Sequence, residues 1–151
     1  RVWIVSPYFV PDASVISALQ LAVLRGVDVR VLLPDRPDHL LVYLAGFSYL
    51  RETVAAGVKL YRYAPGFLHQ KVMLVDDGLA MVGTANLDNR SFRLNFEISA
   101  VVADRAFAGA VERMLERDFA QATPVGVEDY EQRAFPFRAA VRIARLLAPV
   151  L

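Results

Sequence analysis

Twice within its first 63 residues the sequence passes from a short apolar, β-branched run through a helical pattern to a glycine and into another β-branched run. The runs are 2–5, 27–33 and 58–63. The first helix, expected over 13–25, carries Val15, Ile16, Leu19, Ala22 and Val23 at helical spacing, with Asp12 or Ser14 as its cap. The second is expected over 40–56. Gly26 and Gly57 stand where helices stop. Two strands joined by a helical crossover pair in parallel, so this alternation demands a sheet covered by helices. Pro7 and Pro11 bracket Tyr8, Phe9 and Val10 as an aromatic loop, and Pro34-Asp35-Arg36-Pro37-Asp38-His39 reads as another loop. No linker, repeat or low-complexity segment interrupts the 151 residues, so one domain over 1–151 is expected.

Several classes of function are disfavoured by composition. The formal net charge is +1, which supplies no global field for nucleic acid. Cysteine is absent, which removes disulfides, thiolate chemistry and cysteine-based zinc sites. The hydrophobic fraction, 56%, leaves apolar surface for a partner, a missing half or a membrane. No uncharged run is long enough to span a bilayer, and no signal-peptide layout is present. The chain opens on Arg1-Val2-Trp3, already a strand pattern and without an initiating Met, and is expected to be a piece of a longer polypeptide.

The stretch 69–97 gathers polar residues inside an apolar sequence. Residues 70–75 and 79–82 read as strands, and Asp77-Gly78 between them is a strong hairpin signal. With those two as central turn residues, Asp76 pairs with Leu79, Lys71 lies opposite Thr84, and His69 lies opposite Asn86. Opposed residues share a face, so His69, Lys71, Thr84 and Asn86 are expected as one cluster at the open end. Asp76 is expected on the other face, at the far end. A third strand over 95–103 alternates Asn95, Glu97 and Ser99 with apolar residues, and can bring Glu97 toward His69. A lysine with neutral donors makes a seat for a tetrahedral phosphate. A His at its centre can act as nucleophile or as general acid/base, and a carboxylate behind it can fix its tautomer. Phosphodiester cleavage through a phosphohistidine follows, with no metal and no cofactor expected.

His69, Lys71, Asp76, Gly83, Thr84 and Asn86 match, at every position, the HKD signature of the phospholipase D superfamily. The flanks resemble bacterial cardiolipin synthases: 65–71, 86–92 with Asn95-Phe96-Glu97, 6–12 and 34–39. The resemblance runs from about Trp3 to Leu151 and corresponds to the carboxy-terminal half of such enzymes. It implies an α/β fold, a mixed but mostly parallel sheet flanked by helices on both faces in an α/β/α sandwich. It implies transfer of a phosphatidyl group from one phosphatidylglycerol to a second, giving cardiolipin and glycerol at a bacterial membrane. In that scheme Lys71 and Asn86 hold phosphate oxygens, Thr84 supports them, Glu97 orients His69, and Asp76 and Gly83 are structural. The family uses two such motifs and this chain has one, so a second half is needed, from the same polypeptide or a second copy. The alternative is a phospholipase D-like phosphodiesterase or nuclease working as a homodimer.

The remaining features have plainer readings. His39 fits a turn or cap element, and Tyr8 and Phe9 are divided between core and channel lip. Asp88, Asn89 and Arg90 shape the loop after the motif. Asp104 caps a helix over 105–120 whose Ala106, Phe107, Ala110, Val111, Met114 and Leu115 are expected in the core. The tail 136–151, with Arg138, Arg142 and Arg145 at helical spacing, is either a basic amphipathic helix on an anionic membrane or a terminal helix packed on the body.

Overall fold

In the computed structural model, residues 1–36 and 38–148 are described. Pro37, in the expected loop 34–39, and 149–151, at the end of the expected tail helix, lie outside the described residues. In chain order the elements are β1 (Val2–Val5), β2 (Phe9–Val10), α1 (Ala13–Leu24), β3 (Val29–Pro34), α2 (Leu40–Ala55) and β4 (Lys59–Tyr63). There follow β5 (Val72–Val75), β6 (Leu79–Gly83), β7 (Leu87–Asp88), α3 (Asn89–Arg93), β8 (Ser99–Val102) and α4 (Arg105–Ala120). The chain closes with β9 (Ala122–Val125), α5 (Glu128–Glu131) and α6 (Phe135–Leu146).

The local signals act as expected. Asp12 accepts the Val15 N–H at 3.0 Å and caps α1, and Asp104 accepts the Phe107 N–H at 2.7 Å and caps α4. Gly26 and Gly57 end their helices at φ +81° and +91°, a left-handed conformation that side chains disfavour.

Seven strands form the main sheet, in the order β8-β6-β5-β1-β3-β4-β9. It is mixed, as expected, and helices cover both faces. Within this sheet parallel pairing is confined to β1, β3 and β4, the strands joined by α1 and α2. The other ladders, β1–β5, β5–β6, β6–β8 and β4–β9, are antiparallel, so parallel pairs are the minority among the described residues. The reason is chain economy: after β4, no crossover helix separates consecutive paired strands in 72–83, and a hairpin can only return antiparallel. The edge strand β9, antiparallel to β4, adds to the strands expected from the sequence.

One core lies beneath α1 and α2, where Ile16, Leu19, Phe47 and Leu50 pack on Ile4, Val29, Val31 and Leu60. The other lies beneath α4, where Ala108, Val111, Leu115 and Phe119 pack on Trp3, Val5, Leu32, Leu74 and Ala80. In α4 the expected core is partly corrected: Val111 and Leu115 are buried and Met114 packs against them, whereas Ala106 and Ala110 are exposed and Phe107 is 37% exposed. The seam lies about a quarter turn further round, on Ala108, Val111, Leu115 and Phe119. Helix α6 packs on the body through Val141 and Ala144, Ala148 is buried just past its end, and the Phe137 ring meets Phe47 edge-on at 5.1 Å.

Candidate active site at the open end of the hairpin

β5 runs antiparallel to β1, so its start lies beside the end of β1. The site therefore forms where β1 and β3 finish, the usual place for ligands in sheets of this kind. Ser6, buried just past β1, ties two loops together. Its hydroxyl donates to the Tyr8 carbonyl at 2.7 Å and accepts the Leu87 N–H at 2.9 Å. The same contact zips Phe9 and Val10 beside Leu87 and Asp88 as a two-stranded parallel ladder, β2–β7. Phe9 and Val10 are thus strand and core rather than loop, and the segment after the motif is fastened to the segment after β1.

The hairpin register differs by one residue from the expected one. Val75, not Asp76, pairs with Leu79, and Val72 pairs with Val82. The turn holds three residues, Asp76, Asp77 and Gly78, with Asp76 at φ +49°. Asp tolerates the left-handed region because its short polar side chain can bond locally. Lys71 consequently lies opposite Gly83, whose N–H donates to the Lys71 carbonyl at 3.1 Å, and not opposite Thr84. Neither Thr84 nor Asn86 continues the ladder with β5. Asp76 does sit in the exposed turn at the far end of the hairpin, where its backbone N–H donates to the Arg1 carbonyl at 3.1 Å.

Each of these residues is held instead by its own contacts, some of them across the chain. The Lys71 ammonium donates to the His69 carbonyl at 2.9 Å. Burial pushes its pKa below the ordinary lysine value, although the carboxylates of Asp38, Glu97 and Asp88 pull the other way. The His69 ring is exposed and stacks on Phe67, with centroids 5.3 Å apart and planes 14° from parallel. Thr84 turns toward the loop before β8: its N–H donates to the Ile98 carbonyl, and its hydroxyl accepts the Ile98 N–H, both at 2.9 Å. Gly83 passes so close to β8 that an added Cβ would lie 2.6 Å from the Ile98 carbonyl oxygen.

Glu97 is held by its own neighbours. Its carboxylate accepts from Ser91 Oγ and Asn95 Nδ2, each at 3.1 Å. The Thr84 hydroxyl beside it is the largest cause of a pKa below the usual carboxylate range, followed by Asn95 and Ser91. Among the described residues Glu97 makes no hydrogen bond to His69, so the expected orienting contact is not made in this state. Ser91 is the link that sequence reading missed. It accepts the Asn86 N–H at 3.0 Å while donating to Glu97, and Asp88 accepts its own N–H at 2.7 Å. The signal was available: Asp88 and Ser91 stand three apart, as a helix cap requires. Asn89 is spent on the tail, donating to the Ala148 carbonyl at 2.9 Å, and Arg90 is exposed. The Asn86 side-chain oxygen is buried without a partner. A buried unpaired acceptor costs about 1–3 kcal/mol, and no structural hydrogen bond holds this oxygen in place.

A second polar group borders the first. The Tyr8 hydroxyl donates to Asp38 at 2.8 Å, and its ring meets His39 edge-on at 6.0 Å. Burial first, then the Asp38 hydrogen bond, pushes the Tyr8 pKa above its ordinary value. His39 occupies the N-cap position of α2, but its side chain makes no capping bond. Among the described residues no group of three or more His, Asp or Glu side chains is placed to hold a metal ion.

This geometry can be set beside known proteins. Residues 1–119 match the model described as cardiolipin synthase, phospholipase D-like domain. The chain belongs to that family. The phospholipase D-like domain is 58% identical over all 151 residues to cardiolipin synthase A of Pseudomonas putida KT2440, and 59% identical to that of Pseudomonas aeruginosa PAO1. It spans about a third, 31%, of the length of these relatives. Its fold resembles phosphatidylserine synthase of Haemophilus influenzae, with a TM-score of 0.78 at 18% identity, covering 99% of this chain and 41% of that one. It also resembles Nuc, a phospholipase D family member from Salmonella typhimurium, with a TM-score of 0.71 at 20% identity, covering 82% and 80% of the two chains. Those two likenesses establish the fold.

Proposed function

We propose that this domain supplies one half of a phosphatidyltransferase centre, which moves a phosphatidyl group from phosphatidylglycerol to a second phosphatidylglycerol and releases glycerol. The observation that carries the reading is the pairing of a part-buried Lys71 ammonium with the unpartnered Asn86 carboxamide in one cleft, next to His69. Lys71 neutralises a phosphate oxygen, and the Asn86 amide, turned about its last bond, donates N–H to another. Thr84 and Ser91 hold Glu97 within electrostatic reach of Lys71. On substrate binding Glu97 turns to the far nitrogen of His69 and favours its charged form.

The chemistry needs two imidazoles. One attacks phosphorus, forming an N–P bond as the P–O bond to glycerol breaks. The other gives the departing glycerol oxygen its proton. The hydroxyl of the second phosphatidylglycerol then returns that proton as its oxygen attacks phosphorus and the N–P bond breaks. His69 supplies one of these roles. The second comes from another HKD half, carried on the same polypeptide or on a second copy of the domain; relatives about three times as long support the former. No cofactor enters the scheme.

No helix among the described residues is long and apolar enough to cross a membrane. Membrane association comes through the N-terminal part that precedes this domain in a longer polypeptide, and the outward face of α6, where Phe135, Ile143 and Leu146 are exposed beside Arg142, adds contact with an anionic bilayer. The test is direct: the full-length native protein is given phosphatidylglycerol vesicles, and cardiolipin with equimolar glycerol is measured. His69→Ala is expected to abolish both products. Cleavage of single-stranded DNA without cardiolipin would favour the homodimeric nuclease reading instead.

A further inference from the structure

The cleft that holds Lys71 and Asn86 is about 390 Å³, and its walls are otherwise almost entirely apolar. It lies between α1 and the hairpin strands, and runs the length of β1. Val2 and Ala22 line one end, Met73 and Met81 the floor, and Ser6 with Lys71 and Asn86 the other. From Val2 to Ser6 that is ~13 Å, at about 3.3 Å per residue. The volume takes roughly a dozen methylene-sized groups at ~30 Å³ each, and pockets of this size suit single small ligands. Ala18 and Ala22 on α1 keep it open, where larger residues would close it.

We propose that this cleft holds one acyl chain of the phospholipid whose phosphate is bound at Lys71. The inference rests on the phosphatidyltransferase reading and adds the part of the substrate that the domain grips. The occupant follows from the lining. A cation and a free carboxamide at one end, with aliphatic and thioether groups along the rest, complement a molecule that is anionic at one point and apolar beyond it. A nucleic-acid strand carries charge at every residue and would leave these walls against water or phosphate. A covering protein segment would satisfy the apolar walls but would leave the Lys71 N–H donors not taken by the His69 carbonyl, and the Asn86 carboxamide, without an anionic partner.

The test uses the full-length native protein and monomeric probes of fixed headgroup: glycerophosphoglycerol, then dibutanoyl-, dihexanoyl- and dioctanoyl-phosphatidylglycerol. Binding is measured by calorimetry. Affinity is expected to rise with chain length by up to about fourfold per methylene entering the cleft. Ala18→Trp, on the exposed side of α1, is expected to cut that slope by more than half, and Met81→Gln to lower it by polarising the floor. A slope unaltered in both variants overturns the proposal. If Ala18→Trp does not fold, Met81→Gln decides alone. Loss of association with another half or copy, at an unaltered slope, also overturns it and assigns the cleft to protein. Failure of even glycerophosphoglycerol to bind, with no cardiolipin formed, sinks the phosphatidyltransferase reading itself. A flat chain-length profile with normal cardiolipin formation sinks only the acyl cleft.

Discussion

Replacing Gly83 by Ala tests the central packing contact of the site. An alanine Cβ there would overlap Ser99 Oγ and would lie 2.6 Å from the Ile98 carbonyl oxygen and 2.8 Å from Ser99 Cα. Ordinary carbon–oxygen approach is about 3.3–3.6 Å, so β8 must move away from β6 by several tenths of an ångström. Overpacking of this kind costs about 1–3 kcal/mol. The displacement also strains the two Thr84–Ile98 hydrogen bonds, each worth about 1 kcal/mol net. A total near 3 kcal/mol corresponds to a fall in Tm of roughly 6–12 °C at this chain length. Glu97 immediately precedes Ile98, so activity should fall further than stability does. The assays are thermal unfolding of the domain and cardiolipin formation by the full-length protein. A companion variant sharpens the reasoning: Ser99→Gly removes only the hydroxyl overlap, so Gly83→Ala/Ser99→Gly should recover a minor part of the loss. A Tm within 2 °C of the parent for Gly83→Ala, or full recovery in the double variant, would show that β8 yields freely and that the close approach is not a constraint.

Four further outcomes are expected. Phosphate binding by the domain should weaken as pH rises through the lowered Lys71 pKa, with a midpoint below the free-lysine value of about 10.4; a midpoint at or above that value contradicts the desolvation of Lys71. Asp12 caps α1 and pairs with Arg93 at 2.9 Å; the Ser14 hydroxyl first, then the Val15 N–H and Arg93, hold its pKa below the carboxylate range. Its stabilisation is therefore present above the unfolded value of about 3.9 and lost as pH falls through the folded one, and Asp12→Asn, which keeps a cap, should flatten the acid limb of Tm against pH. Ser91→Ala leaves the Asn86 N–H and Glu97 each short of one partner, and should cost about 1–2 kcal/mol by denaturant titration, with a loss of turnover beyond that. For the membrane role, truncation at Pro136 would also uncover the surface that Val141 and Ala144 bury, so Ile143→Glu with Leu146→Glu is the cleaner variant; unchanged binding to anionic vesicles would remove α6 from the membrane role.

What the sequence determined by itself was whatever short-range chemistry controls. Helical periodicity, the Asp12 and Asp104 caps and the stops at Gly26 and Gly57 set α1, α2 and α4 to within a residue or two at their ends. The crossovers α1 and α2 fixed the parallel order of β1, β3 and β4. The spacing from His69 to Asn86 identified the family, because six residue types at fixed separations match its signature and no helical or strand periodicity demands that combination. The tertiary structure decided what depends on distant atoms. The hairpin register turned on Asp76 entering a left-handed conformation, which lengthened the turn by one residue and moved Lys71 from Thr84 to Gly83. A period-two strand has no memory of such a slip, so alternation alone gave a consistent but shifted pairing. The segments that carry these residues are joined instead by Ser6 fastening Leu87, Ser91 linking Asn86 to Glu97, and Thr84 clasping Ile98. Each is a hydrogen bond between segments whose approach is set by packing rather than by local sequence. The cleft beneath α1 belongs to the same class: its volume is the space that two alanines leave between a helix and a sheet, and it exists only once both are in place.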